Sequence, residues 1–412
     1  MSDEIAIVGA GIVGLAIAFH LQRDGNRVRL IERGGVAEGA SFGNAGAFAF
    51  TDILPLASPG ILRKAPKWLM DPLGPLAIPP ACLPNIAPWL LRFWRASLPD
   101  RYRHSMEVQG RLMAYAADSM TTMVAEAGLA DHVRSNGNLE LYESEAELAA
   151  SMAGWQARER AGIGFEHVRG ARLAELQPGL SPRFVAGTFT PGWKSVADPY
   201  LFALALFDAV MQRGGAIARG EVVAVEPAGE GVTLRLADGT TLAARQAVIA
   251  GGAWSRPLAK RLGDAIPLET ERGYNTTLPP GAFDLKRQVT FGGHGFVVTP
   301  LSTGIRVGGA VELGGLKLPP NFARSAAMLT KAAAFLPGLR TDGGKQWIGF
   351  RPSLPDSLPA IGASRASPRI FYAFGHGHLG LTQSAATGRL VADLATGRTP
   401  GIDPSPFRPD RF

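Results

Sequence analysis

Residues 4–9, EIAIVG, form an unbroken apolar run that ends in glycine, the pattern of a strand buried on both faces of a parallel sheet. The apolar stretch Ile12 to Leu21 predicts a core-facing helix that closes near Gly25. Arg27 to Ile31 predicts a second strand, ending at Glu32. Residues 105–130 and 143–160 read as helices. Another opens at Asp198-Pro199, with Asp198 as N-cap and Pro199 at the first helical position, and runs to Gly214. Strands are expected at Ala216–Glu226, Val232–Leu236 and Thr241–Ala250. Residues 266–312 alternate apolar and polar positions, which predicts antiparallel strands. A last strand, Arg369–Ala373, leads through a glycine-rich loop to a helix that starts near Leu379.

Between the first strand and its helix stands Gly9-Ala10-Gly11-Ile12-Val13-Gly14, a G-x-G-x-x-G. Gly9 permits the tight turn, Gly11 lets a pyrophosphate approach the backbone, and Gly14 lets helix and strand pack closely. The helix N-terminus offers free N–H groups and a positive dipole end to phosphate. Glu32 sits where an acidic side chain accepts from ribose hydroxyls, and it would repel a 2′-phosphate. After Glu32 and Arg33 comes a long small-residue loop that includes Ser41, Asn44, Ala45 and Gly46. Such a loop suits a cofactor that extends past the pyrophosphate, FAD rather than NAD.

Composition narrows the class. The 412 residues are 46% hydrophobic and 19% charged, which fits a globular chain of two domains. The net charge of +7 comes without a Lys/Arg run or a basic helix with interleaved aromatics, so no nucleic-acid partner is expected. A single cysteine, Cys82, and seven histidines without i, i+4 spacing give no expected metal site. The first strand starts with no charged leader and apolar signal stretch before it, so the expected location is cytoplasmic. Segment 53–98 carries many prolines, Trp68, Trp89 and Trp94, and Lys64, Lys67, Arg92 and Arg95. It fits two readings: a cap over the active site, or a peripheral contact at the inner face of the membrane.

The stretches SFGNAGAF, LETERGYN, GFVVTPLSTGIRVGGAVEL, GFRPSLPDSLPAIG and FGHGHLGLTQSAATGRLVADLATG resemble the D-amino-acid oxidase superfamily of FAD-dependent oxidoreductases. The likeness covers nearly the whole chain and is nearest to the D-amino-acid dehydrogenases. At RGYN and GHGH it points to members acting on D-proline or hydroxy-D-proline. It implies an α/β and α+β architecture: a discontinuous Rossmann-type FAD-binding domain over 1–50, 195–265 and 345–412. A substrate domain built on a mainly antiparallel sheet takes 51–194 and 266–344. It also implies that Val223 exchanges backbone hydrogen bonds with the adenine and that Gly251, Gly252 and Trp254 border the cofactor. His376, Gly377, His378, Leu379 and Gly380 would bring the last helix start to the flavin. Cys82 lies outside every such motif, so the FAD is expected to be non-covalent.

Oxidation of an α-amino acid removes the Cα hydrogen as hydride, driven by the amine lone pair, so no strong protein base is required. Holding the α-carboxylate calls for a planar two-donor cation. The resemblance places such an arginine in a G-x-R-P stretch, here Arg351; the alternative is an ion pair with Asp356. Tyr274 is a second donor to the carboxylate, or else a packed core tyrosine. Arg272 is expected to pair with Glu269 or Glu271. Of the two loop histidines, His378 is expected on the substrate side. The resemblance implies a D-amino-acid substrate and a quinone or other electron acceptor. The alternatives are an oxygen-using oxidase of glycine, sarcosine or D-amino acids, and a flavin-binding assembly partner without amine turnover.

Overall fold

The computed structural model describes residues 3–61, 74 and 76–412. Lys64, Lys67 and Trp68 therefore lie outside the described residues.

The strand Glu4–Val8 sits inside a six-stranded sheet because both of its faces are apolar: Ile5 and Ile7 enter one core, Ala6 and Val8 another. The sheet runs Ala216–Arg219, Arg27–Glu32, Glu4–Val8, Gln246–Ile249, Ser367–Phe374, Ala360–Ser364, parallel except at the last pair. Helices Ile12–Arg23 and Gly380–Thr396 cover one face. They cross closely at Gly388, where an added Cβ would meet the Ala16 carbonyl at 2.6 Å. A three-stranded antiparallel sheet of Val222–Ala228, Gly231–Leu236 and Thr241–Ala244 covers the other.

Two expected strands each prove to be two. Ala216–Glu226 breaks at Gly220, whose N–H bonds the Glu32 carbonyl, and Thr241–Ala250 breaks at Arg245, whose N–H bonds that of Glu4. In both, the chain changes sheet at a short polar step, Arg219 and Glu221 around Gly220 and Arg245 before Gln246. The helix from Pro199 is capped as expected: Asp198 accepts from the N–H groups of Tyr200 and Leu201. Helices Pro99–Glu126 and Glu145–Arg160 lie over the two runs read as helical.

The second sheet has nine strands, antiparallel in most pairings. Glu269–Leu278, Gln288–Phe291, Phe296–Leu301 and Gly304–Glu312 account for the alternating region 266–312. Lys345–Ser353, within the stretch assigned by sequence to the nucleotide part, pairs instead with Glu269–Leu278 at the edge of this sheet. Helix Leu83–Ala96 buries Trp89, stacked on Phe93, and exposes Leu83, Leu91 and Trp94. Among the described residues no helix is long and apolar enough to cross a membrane.

Two histidines couple this core to pH. Burial, helped by the charges of Arg23, Arg389 and Arg213, pushes His20 down to about 3, and burial alone does the same to His376. Unfolded, both titrate near 6.5. Between those values the unfolded chain holds more protons, so stability is complete above pH 6.5 and falls as pH drops toward 3. The slope is at most about 1.4 kcal/mol per pH unit for each histidine. Melting temperature at saturating FAD is expected to be flat from pH 8 to 7 and to decline below pH 6. His20→Leu should remove part of that decline; a melting temperature that stays level down to pH 5 would overturn the account.

Candidate functional site

The glycine-rich turn is built by contacts that only glycine allows. Gly9 has φ +107°, and a Cβ there would stand 2.7 Å from the Ala250 carbonyl oxygen. A Cβ on Gly14 would lie 2.0 Å from the Gly9 oxygen. Glu32 ties the turn to the second strand by accepting from the N–H of Ala10 (2.8 Å) and of Gly34 (3.0 Å). Ser41 Oγ accepts from the Ile12 N–H at 2.9 Å, which fixes the small-residue loop over the helix start. Asn44 closes that loop on itself, donating to the Ser41 carbonyl and accepting from the Gly46 N–H.

One cavity of about 860 Å³ runs from here to the second sheet. Its walls include Gly9, Gly11, Ile12 and Val13 at the first helix start, and Leu379 and Gly380 at the last. Neither helix is capped by its own N-cap residue; with the Ile12 N–H taken by Ser41, the N–H groups left at both helix starts face the cavity. Arg33 stacks on Trp254 at 4.1 Å, and both line it with Gly251 and Gly252. Ser41, Asn44 and Ala45 line it too, as do Glu32 and the loop His376, Gly377 and His378. Four of the residues expected at the cofactor stand behind this surface. Ala10 and Gly14 support the turn, Gly46 accepts from the Val196 N–H, and Val223 stands next to Val222, which lines the cavity. The strand pairing shifts register between Val222 and Ala224, which leaves the Val223 backbone without a ladder partner beside Val222 at the cavity.

The far wall is formed by Glu269–Leu278 and Lys345–Ser353, paired so that Glu271 faces Arg351, Gly273 faces Gly349 and Asn275 faces Trp347. All six line the cavity. Arg351 folds across Gly273, where a Cβ would lie 2.2 Å from Nη2, and donates from Nη1 to the Ala310 carbonyl at 3.0 Å. Ala310 holds φ +56° at the irregularity between the Arg272–Glu312 and Tyr274–Gly309 pairs. Burial draws the guanidinium below the ordinary arginine range, against the opposing charge of Glu271. Among the described residues Arg351 forms no ion pair; Asp356 is held by Arg411 at 2.7 Å instead.

Strand alternation overturns the pairing expected of Arg272 and favours the core reading of Tyr274, which borders the cavity. Tyr274 and Arg272 point to the opposite face from Glu271 and Gly273. The Tyr274 hydroxyl donates to Glu312 at 2.5 Å and accepts from the Asn321 N–H, so it is not free for a ligand. Arg272 pairs with Glu312 at 3.0 Å and donates to the carbonyls of Leu318 and Pro319, not to Glu269 or Glu271.

The loop histidines separate. His376 is buried with Nε2 2.8 Å from Thr387 Oγ1, whereas His378 is exposed with Nε2 3.2 Å from Asp52. Burial alone would raise the Asp52 carboxyl; the His378 hydrogen bond with the charges of His378 and Arg158 holds it below its ordinary range. Sequence reasoning missed Asp52, Trp347 and Arg306. Arg306, drawn down to about 10 by burial, donates to the Asn44 carbonyl at 2.6 Å and so braces the small-residue loop.

These features fit FAD. Its phosphates match a helix start beside Glu32, and a planar ring matches the second helix start. The cavity volume lies within the cofactor range of roughly 300–1,000 Å³. Among the described residues no cysteine lines the cavity, and Cys82 stands apart from it.

Comparison with known proteins agrees. The profile of the DAO family, FAD dependent oxidoreductase, matches residues 4–394. A D-amino-acid oxidase of Bradyrhizobium diazoefficiens is 34% identical over 419 aligned residues, covering 99% of each chain. A D-amino acid dehydrogenase of Methylobacterium radiotolerans is 31% identical, covering 97% of each. In fold, the crystal structure of glycine oxidase from Geobacillus kaustophilus matches with a TM-score of 0.75 at 24% identity, over 100% of this chain and 98% of that one.

Proposed function

The chain belongs to the DAO family of FAD-dependent oxidoreductases, and on that premise we propose that it oxidises D-amino acids, D-proline or hydroxy-D-proline among the best. The electrons pass to a quinone or another acceptor in preference to oxygen. Arg351 carries this reading: a half-buried guanidinium, in no ion pair among the described residues, on the wall of the cavity that would hold the cofactor.

Bound FAD would supply the two-electron oxidant for removal of the Cα hydrogen as hydride. The residues of this chain position the substrate for that transfer. The Ala310 carbonyl engages Nη1 of Arg351, and the remaining N–H groups of the fork receive the substrate carboxylate. Gly273 leaves the space in which the fork lies. His378, held at Asp52, lines the substrate side and links the glycine-rich loop to segment 49–56. The flavin-holding part comprises 1–50, 195–265 and most of 345–412, with the substrate bound against the antiparallel sheet.

The test is an anaerobic flavin-bleaching screen. D-amino acids are expected to bleach the flavin faster than their L-forms, glycine or sarcosine, with D-proline or its hydroxy derivative among the fastest. L-substrates faster by tenfold would overturn the handedness, and a flavin that no amino acid bleaches would favour the assembly-partner reading. In air, quinone analogues should support faster turnover than oxygen. Hydrogen peroxide formed at the full turnover rate would move the protein to the oxidase reading.

A further inference from the structure

Five carboxylates are buried among the described residues: Asp198, Asp264, Glu271, Glu312 and Asp393. Four of them are fully engaged. Asp198 accepts from two helix N–H groups and Thr303, and Asp264 from Ser364 and Tyr372. Glu312 is held by Tyr274 and Arg272, and Asp393 by Arg389. Glu271 is the exception. It is 4% exposed, yet among the described residues it forms no hydrogen bond through its side chain and no ion pair. The cation directly across the ladder, Arg351, leans away from it onto Gly273 and the Ala310 carbonyl.

Alternation along Glu269–Leu278 puts Glu271 on the cavity face with Gly273 and Asn275. It also borders a small annex bounded by Ser353, Gly375 and His378. Arg351 acts on Glu271 through charge without contacting it, so the carboxylate stays available to a cationic group that reaches it from the cavity. On one face of one strand pair, then, the cavity offers a cation and an anion side by side. A zwitterionic α-amino acid carries the complementary pair of charges on two groups attached to one carbon.

We propose that Glu271 binds the substrate's ammonium group while Arg351 holds its carboxylate, and that the bound ammonium gives one proton to water before its lone pair drives hydride loss; this rests on the amino-acid reading of the same site. Glu271 then makes the cavity selective for amino acids over carboxylic acids of the same shape. It is a specificity-determining residue that acts by direct contact with substrate.

The test compares two ligands on the flavin-loaded enzyme. D-proline is followed by anaerobic flavin reduction. Cyclopentanecarboxylate, the same ring without nitrogen, is followed by the shift in the flavin spectrum. Glu271→Gln is expected to raise the half-saturating D-proline concentration at least about 30-fold, equivalent to about 2 kcal/mol. Cyclopentanecarboxylate should bind the variant within about threefold of wild type, or more tightly, because a like charge has been removed. Glu271→Asp, which keeps the charge on a shorter arm, should fall between. A parallel loss for both ligands would mark Glu271 as merely structural, and no change for either would remove it from the site; each overturns the proposal. Should Glu271→Gln fail to hold flavin, the wild-type enzyme decides. D-proline at least about 30-fold tighter than cyclopentanecarboxylate supports the contact, and a ratio near one overturns it. A wild-type flavin reduced by no amino acid overturns the functional reading itself, a result distinct from any of these.

Discussion

Arg351→Ala is expected to lower kcat/KM for amino-acid substrates by about three orders of magnitude while flavin content stays normal. The guanidinium is half-buried, its fork turned along the cavity wall and free of any ion pair among the described residues. Truncating one partner of a buried charge pair costs about 2–5 kcal/mol, which at 1.36 kcal/mol per tenfold is on the order of 30- to 4,000-fold. Alanine should sit near the upper end. Lysine keeps the charge but loses the planar fork, and should sit near the lower. Gly273→Ala tests the same geometry without touching the arginine. The new Cβ would stand 2.2 Å from Nη2, so the fork must move. That variant should resemble Arg351→Lys, and adding Arg351→Ala to it should cost far less than the sum of the two. Esters of the substrate, lacking the anion, should be poor with the native enzyme and little changed by either substitution. If the variants instead lost flavin while surviving protein kept near-normal kcat/KM, Arg351 would be a structural residue. The partner once open to it, Asp356, is occupied by Arg411.

How much of this was legible depended on whether a residue's role was set locally. The first strand, its turn, helix and Glu32 follow one another in sequence, and each is decided by neighbours a few positions away, so the cofactor half read clearly. The Asp198 cap was legible for the same reason. The substrate half depends on which face of which strand meets the cavity. Lys345–Ser353, KQWIGFRPS, carries no hydrophobic alternation, because one of its faces is a ligand wall rather than a core. Without a visible strand there, Trp347 and Gly349 could not be placed beside Arg351, nor Glu271 across from it. Tyr274 was assigned by residue type; parity from Gly273 would have sent it to the other face. Runs such as 216–226 read as single strands because both sheets they join bury apolar side chains.

The two motif glycines should fail in different ways, and the difference tests whether the turn is built for a ligand or for the fold. Gly14 is an internal contact: a Cβ would lie 2.0 Å from the Gly9 oxygen, a backbone atom that cannot swing aside. Helix and strand must then separate at the centre of the parallel sheet. Gly14→Ala should therefore lower the melting temperature of both apo and flavin-loaded protein, by an overpacking cost of about 1–3 kcal/mol or more. Gly11 lines the cavity, and a Cβ there would meet only Ser41 Oγ, at 3.3 Å. The fold can accept that methyl, but it would occupy the space a pyrophosphate needs beside the helix start. Gly11→Ala should leave the apo melting temperature within a degree or two of wild type. Its FAD dissociation constant should rise by about a hundredfold, a loss of about 2.7 kcal/mol. Equilibrium FAD titration and apo thermal melts on both variants separate the cases. Gly11→Ala protein that still purified with a full complement of FAD would refute the placement of the phosphates at this helix start.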